Sequence, residues 1–166
     1  NCSSLTSVTV SSFMTGEVIN LSSMFKYCSN LRSLDVSGFD TGKVTNMSNM
    51  FEGTGMSSSV FTLDLGDKFD TRNVTDMSSM FEGVSSLSTL DLSTFDTSKV
   101  IDMTGMFSGA YTLKTIYVSD KWTTNAVTSS GAMFFGCRSL PNYDSSVEDK
   151  TNAHYNTGGY LTLKNN

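Results

Sequence analysis

A Met-Phe pair recurs along the chain at Met24-Phe25, Met50-Phe51, Met80-Phe81, Met106-Phe107 and Met133-Phe134, at intervals of 26, 30, 26 and 27 residues. A period of this size marks a repeat array, in which one supersecondary unit is copied and the copies bury their apolar faces against one another. Two further columns keep step with the first. Phe-Asp-Thr stands at residues 39–41, 69–71 and 95–97, with Phe13-Met14-Thr15 and Trp122-Thr123-Thr124 as weaker copies. From the aromatic residue of each copy to the next Met of a Met-Phe pair is always 11 residues. A Leu-Asp or related pair recurs at Val8-Thr9, Leu34-Asp35, Leu63-Asp64, Leu90-Asp91 and Ile116-Tyr117. The length differences localise. Three extra residues fall within 53–59, one follows Leu65 and one follows Val118, where they read as loop insertions between fixed elements.

Each unit has two halves. The first reads Leu31-Arg32-Ser33-Leu34-Asp35-Val36, and again Leu87-Ser88-Thr89-Leu90-Asp91-Leu92. Its final apolar-polar-apolar alternation is a strand signal. The second half places Val44, Met47, Met50 and Phe51, and again Val74, Met77, Met80 and Phe81, at offsets of three, six and seven. These offsets predict one face of a short helix, with Thr45 and Thr75 as N-caps, Asp76 in the first turn, and Gly53 and Gly83 at the stops. The expectation is an α/β fold, a right-handed leucine-rich-repeat solenoid with a parallel sheet of five to six short strands and short helices on the opposite face. Units start at Leu5, Leu31, Val60, Leu87 and Leu113, and a sixth starts at Leu140, with Tyr143 and Asp144 in the Leu and Asp columns. Residues 1–145 form the solenoid of about 26-residue units and 146–166 a C-terminal cap. Tyr155, Tyr160, Leu161 and Leu163 are expected to cover the last unit, with 160–164 as a terminal strand.

The chain's 166 residues suit one domain. With 11 Lys and Arg against 16 Asp and Glu, the net charge of −5 disfavours nucleic acid and anionic membrane surfaces, both of which select clustered cations. No apolar run approaches the ~20 residues of a membrane span, and residues 1–7 do not read as a signal peptide. Since the sequence enters in mid-repeat, it reads as an excised or matured piece, a monomer within a longer chain.

Cys2, Cys28 and Cys137 share one column, held elsewhere by Val84 and Ala110, which marks a small buried apolar position. Cys2 and Cys28 fall in adjacent units, so free thiols and a disulfide both remain open. No C-x-x-C and no nearby His favours zinc. His154 reads as a surface or cap residue. Asp40, Asp70 and Asp96 are expected to fold back onto turn amides. Asp35, Asp64, Asp91 and Asp144 form a second ladder that faces away from the core, where stacked carboxylates ~5 Å apart repel unless something offsets them. The calcium-loop pattern D-x-D-x-D-G is absent, and a uniform ladder does not supply the split pair that acid-base chemistry requires. No cofactor is expected. The Met-Phe stripe reads as core.

The runs Met133 to Leu140 and Val74 to Phe81, with the segment 90–98, resemble the BspA-like leucine-rich-repeat surface proteins, in the subgroup that shares its repeat with mycoplasma-type lipoproteins. The likeness spans residues 1 to about 145. It implies extracellular display on a bacterial cell surface and adhesion to host or microbial proteins or glycans, without a catalytic site. Ile116-Tyr117 and Trp122-Thr123 depart from the pattern, which puts a contact residue shared by all repeats in doubt. The function expected is a non-enzymatic binding module, with a passive spacer as alternative. An enzyme of the parallel β-helix lyase kind ranks third, disfavoured by the helical half-repeat. The exposed sheet face is the expected partner-binding surface, through Arg32, Asp35, Phe61, Asp64, Asp91, Lys114 and Tyr117. Phe61 has a competing reading, in which the insertion before it turns its ring inward.

Overall fold

The computed structural model describes residues 2–164. Four strands fall where the alternation predicts them: β1 (Ser33–Asp35), β2 (Thr62–Asp64), β3 (Thr89–Leu92) and β4 (Thr115–Val118). A fifth, β5 (Thr162–Leu163), lies within the segment expected to end the chain as a strand. In β3, Leu90 and Leu92 are buried while Thr89 and Asp91 face solvent, as period-two geometry requires. All pairing is parallel, but it makes two sheets: β1 with β2, and β3 with β4 and β5. No ladder joins β2 to β3. The units at Leu5 and Leu140 form no strand, so Asp144 sits in a turn.

The expected helices do not form. Among the described residues the only helical piece is the 3-10 turn Lys150–Asn152, and the Met-Phe halves are chains of turns. Two columns of left-handed residues explain why. Ser23, Asn49, Ser79, Gly105 and Ala132 have φ of 60, 57, 54, 63 and 55° in the first column, and Tyr27, Gly53, Gly83, Gly109 and Gly136 make the second. A left-handed residue every few positions interrupts an α-helix. The hydrogen bonds divide accordingly. Met47, Asn49, Phe51 and Gly53 donate to the carbonyls of Asp76, Ser78, Met80 and Glu82 in the next repeat, at 2.7 to 3.0 Å. The intervening Met50 and Glu52 donate three residues back, to Met47 and Asn49. A two-turn helix is marginal alone; the turns instead bind each repeat to its neighbour through a row of backbone bonds. Apolar residues three apart still converge, so Val44, Met47, Met50 and Phe51 are all fully buried. Thr45 and Thr75 are not N-caps. Their hydroxyls donate to the carbonyls of Ile19 and Thr45 in the preceding repeat.

The Phe-Asp-Thr motif divides its labour by residue. Its Phe packs in the core. Phe69 and Phe95 stack with centroids 5.8 Å apart, beside the column of Met-Phe rings, in which Phe25, Phe51, Phe81, Phe107 and Phe134 stack at 5.4 to 5.9 Å. Its Asp closes a turn: Asp40, Asp70 and Asp96 accept from the amides of Gly42, Arg72 and Ser98, as the sequence predicts. Its Thr is buried and bridges repeats. The Thr41 hydroxyl donates to the Asp70 carbonyl at 2.8 Å and accepts from the Asp70 amide at 2.7 Å, and Thr15, Thr71 and Thr97 do the same for Asp40, Asp96 and Thr123. Each hydroxyl thereby satisfies a donor and an acceptor that burial would otherwise leave unpaired.

The C-terminal segment covers the last repeat. Tyr160 meets Phe134 edge-on at 5.1 Å. Phe134 donates to the Glu148 carbonyl, and Trp122 donates its indole N–H to the Ala153 carbonyl at 3.0 Å. Among the described residues no helix is long and apolar enough to cross a membrane.

Candidate functional site

The strand face gathers most of the residues that the sequence nominates. Arg32 is exposed at the head of β1 and donates its amide to Thr6. Thr62 donates to the Arg32 carbonyl, and Lys114 donates to that of Ser88. The register pairs Thr62 with Ser33 and Thr89 with Thr115, so Arg32, Ser88 and Lys114 share one outward column, in which Phe61 is the member of the second repeat, while Ser33, Thr62, Thr89 and Thr115 make a neighbouring column of hydroxyls. Asp35 and Asp64 are exposed and in register with each other. Asp91 is in register with Tyr117, which is half-buried between β3 and β5.

Phe61 is not part of that face. It is only 4% exposed, and Val60, expected to head this unit, is out in solvent at 65%. The Phe61 ring lies on Gly55, where an added Cβ would come 2.3 Å from the ring and where φ is +67°. The insertion explains the shift. From Phe51 to Phe61 is ten residues where Phe81 to Leu87 is six, and from Phe61 to Leu63 is two where Leu31 to Leu34 is three. Phe61 therefore fills the buried site that Leu31 and Leu87 fill in their repeats.

The expected carboxylate ladder is largely dismantled. Each Asp is tied to an amide two residues on: Asp35 to Ser37, Asp64 to Gly66, Asp91 to Ser93, Asp144 to Ser146. Hydrogen bonds from Ser37 hold the Asp35 carboxyl below the usual carboxylate range. Burial pushes the Asp91 carboxyl up, but Lys164 and Ser93 outweigh it and the net direction is down. Lys164 reaches back from the end of β5 to pair with Asp91. Only Asp35 and Asp64 remain side by side. Among the described residues no cluster of three or more His, Cys, Asp or Glu is arranged to hold a metal ion. The lone His154 is half-buried against the backbone of Gly159, and its Nδ1 has no hydrogen-bond partner among the described residues.

Cys28 and Cys137 are buried, Cys2 is exposed, and all three are free thiols. Burial pushes the Cys137 thiol up to about 12, which suits packing rather than nucleophilic use.

A slot of about 470 Å³ that residue spacing does not foretell lies between β2 and β3, walled by Phe61, Thr62 and Leu63 on one side and Leu87, Ser88 and Thr89 on the other. Leu63 is only partly buried there, whereas its column mates Leu34, Leu90 and Ile116 are buried. The length anomaly of this unit was the available signal, but it reads as a loop insertion rather than as an opening in the sheet.

No curated protein and no solved structure matches the chain. A family model matches residues 1–64 and again 55–159, two overlapping stretches that together cover most of the repeat array. The chain belongs to the family described as "Mycoplasma protein of unknown function, DUF285".

Proposed function

We propose that the chain is a non-enzymatic binding or adhesion module of a BspA-like surface protein, displayed outside a bacterial cell. In this reading the stacked repeats are a right-handed leucine-rich-repeat solenoid, 1–145, closed by a C-terminal cap, 146–166. Its strand face recognises a host or microbial surface protein or glycan through Arg32, Asp35, Asp64, Asp91, Lys114 and Tyr117. The observation that carries the reading is a contrast between faces. The corner columns of Asp and Thr are nearly uniform and their polar atoms are spent on the turns and on the next repeat. The strand face instead varies from Arg32 through Ser88 to Lys114 in one column and from Asp35, Asp64 and Asp91 to Tyr117 in another, and varied exposed side chains on a repeat surface are what selective recognition uses. The non-enzymatic part of the reading rests on the engaged Asp side chains; with the helices gone, the helical half-repeat no longer argues against a β-helix enzyme.

A passive spacer is the second reading, favoured by the uniform inter-repeat rows, which suit a rigid stalk. Parallel pull-downs with extracellular host proteins and a glycan array separate the two. The binder reading expects a ligand that is captured by the wild type and by the opposite-face variant Tyr111→Ser/Phe135→Ser, and lost in Arg32→Ser/Lys114→Ser/Tyr117→Ser. A ligand held equally by both variants removes the strand face from consideration, and no ligand in either format favours the spacer.

A further inference from the structure

The geometry points to the slot between β2 and β3 as a receptor for an extended peptide of the form hydroxyl–apolar–basic, inserted as an extra parallel strand. The inference rests on the strand face being the binding surface and names the class of ligand that its central opening takes.

The case starts from backbone groups. In a parallel ladder, alternate residues turn both peptide groups to the same side. Thr62 donates to Arg32, and Val36 donates to Asp64, so Thr62 and Asp64 face β1. Leu63, with Phe61 and Leu65 on either side, therefore turns toward the slot, and among the described residues no backbone group of these three has a backbone hydrogen-bond partner. On the other wall the Ser88 carbonyl is committed to Lys114, so Thr89 and Asp91 turn their peptide groups to the slot. Two facing strand edges with free donors and acceptors are what strand addition requires. Neighbouring strands lie about 4.8 Å apart, so an inserted strand needs walls separated by roughly twice that. No ladder joins β2 to β3, and the slot between them holds about 470 Å³. β2 has three residues, which sets the length of the paired segment.

Side chains set the sequence. A peptide running parallel to β2 places its first residue beside Thr62 and Thr89, both exposed, where a hydroxyl fits. Its second residue points inward with Leu63 and Leu90 and fills the space that leaves Leu63 partly uncovered, so it is apolar. Its third lies beside Asp64 and Asp91, with Asp67 close by. Three carboxylates there face one ammonium, that of Lys164, and the charge imbalance selects Lys or Arg.

The probe is acetyl-Ser-Thr-Val-Lys-Ser-amide, titrated into the full chain by NMR, with hydrogen exchange read at Phe61, Leu63, Leu65, Thr89 and Asp91. The expected result is saturable binding with slowed exchange at these amides, at least tenfold weaker for the peptide N-methylated at Val and Lys, and weaker for the Lys→Glu peptide. In Asp64→Asn/Asp91→Asn, whose amide oxygens still accept from Gly66 and Ser93, the preference for Lys over Glu should vanish while the chain, less stable by the lost Lys164 ion pair, still melts cooperatively. No saturable binding at millimolar peptide, or equal binding of the N-methylated analogue, overturns the slot. If a strand-face ligand from the pull-down is lost in the Arg32/Lys114/Tyr117 variant yet leaves Leu63 exchange unchanged, the binding surface stands and the slot alone fails.

Discussion

Replacing Ser79 by glycine separates two structures that bury the same residues. Ser79 has φ of 54° in the turn between Met77 and Met80, and its amide donates to the Thr104 carbonyl at 2.8 Å. A side-chain-bearing residue in the left-handed region costs about 1–2 kcal/mol, and glycine removes that cost. The added freedom of the unfolded chain takes back about 0.4–1 kcal/mol. No hydrogen bond from the Ser79 hydroxyl is lost, so the net is a stabilisation of about 0.5–1 kcal/mol, or a rise of roughly 1–4 °C in melting temperature for a chain of this size. Had the segment been the helix that its spacing predicts, the same substitution would destabilise by about 0.5 kcal/mol. Gly105→Ala runs the other way. It lies in the same column with φ of 63°, so alanine should destabilise by about 0.5–1 kcal/mol, the left-handed cost less the reduced freedom of the unfolded chain, where a helix would gain about 1 kcal/mol. Urea denaturation followed by far-UV circular dichroism reads both signs. A destabilised Ser79→Gly together with a stabilised Gly105→Ala would refute the turn structure.

Phe81→Ala should cost about 3–5 kcal/mol, because Phe81 is fully buried between Phe51 and Phe107 at 5.5 and 5.9 Å; a urea midpoint equal to wild type would place it outside the core. Ellman's reagent should label Cys2 alone in the folded chain and all three cysteines in urea, and rapid native labelling of Cys137 would contradict its burial. Stability should fall on acidification. Asp35, Asp91, Asp96, Asp144 and Asp149 all have carboxyls held below the ordinary range, so the unfolded chain takes up protons first, and the stabilisation present above about pH 4 is lost as pH drops through their folded values. A melting temperature that rises between pH 5 and pH 3 would reverse that sign.

The sequence is legible where one residue type does one job in every repeat. Leu34, Leu90 and Ile116 mark strands because alternation has few competing explanations, and Asp40, Asp70 and Asp96 announce turns because a carboxylate beside a free amide closes one. The Met-Phe half misleads because apolar residues at offsets of three, six and seven are buried by a chain of turns as well as by a helix. The distinguishing signal was weak: the residue before each Met of the pair is Ser, Asn, Ser, Gly or Ala, and only Gly and Asn favour the left-handed region. The bridging role of Thr15, Thr41, Thr71 and Thr97 is not legible in the sequence, since a hydroxyl's burial depends on a neighbour 25 to 29 residues away. Phe61 keeps the place that the register of Leu63 opposite Leu34 assigns it, opposite Arg32, and its inward turn depends on the seat that the inserted loop offers at Gly55, which residue spacing does not reveal.

The opening between β2 and β3 follows from where the irregular residues lie. The insertion at 53–59 and the extra residue after Leu65 flank β2 on both sides, so its approach and departure differ from those of β3 and the ladder between them is lost. On the opposite face nothing is inserted. Met77, Ser79, Phe81 and Gly83 donate without interruption to Asp102, Thr104, Met106 and Ser108, and Phe81 stacks on Phe107. A row of backbone bonds and a ring stack at that interface outweigh the few strand bonds missing across the stack, since each bond contributes about 1 kcal/mol while the aromatic burial contributes several. The repeats therefore stay joined at their turns and part at their strands. A break of this kind leaves free peptide edges without loosening the core, and so places the opening in the middle of the stacked strands rather than at a loop.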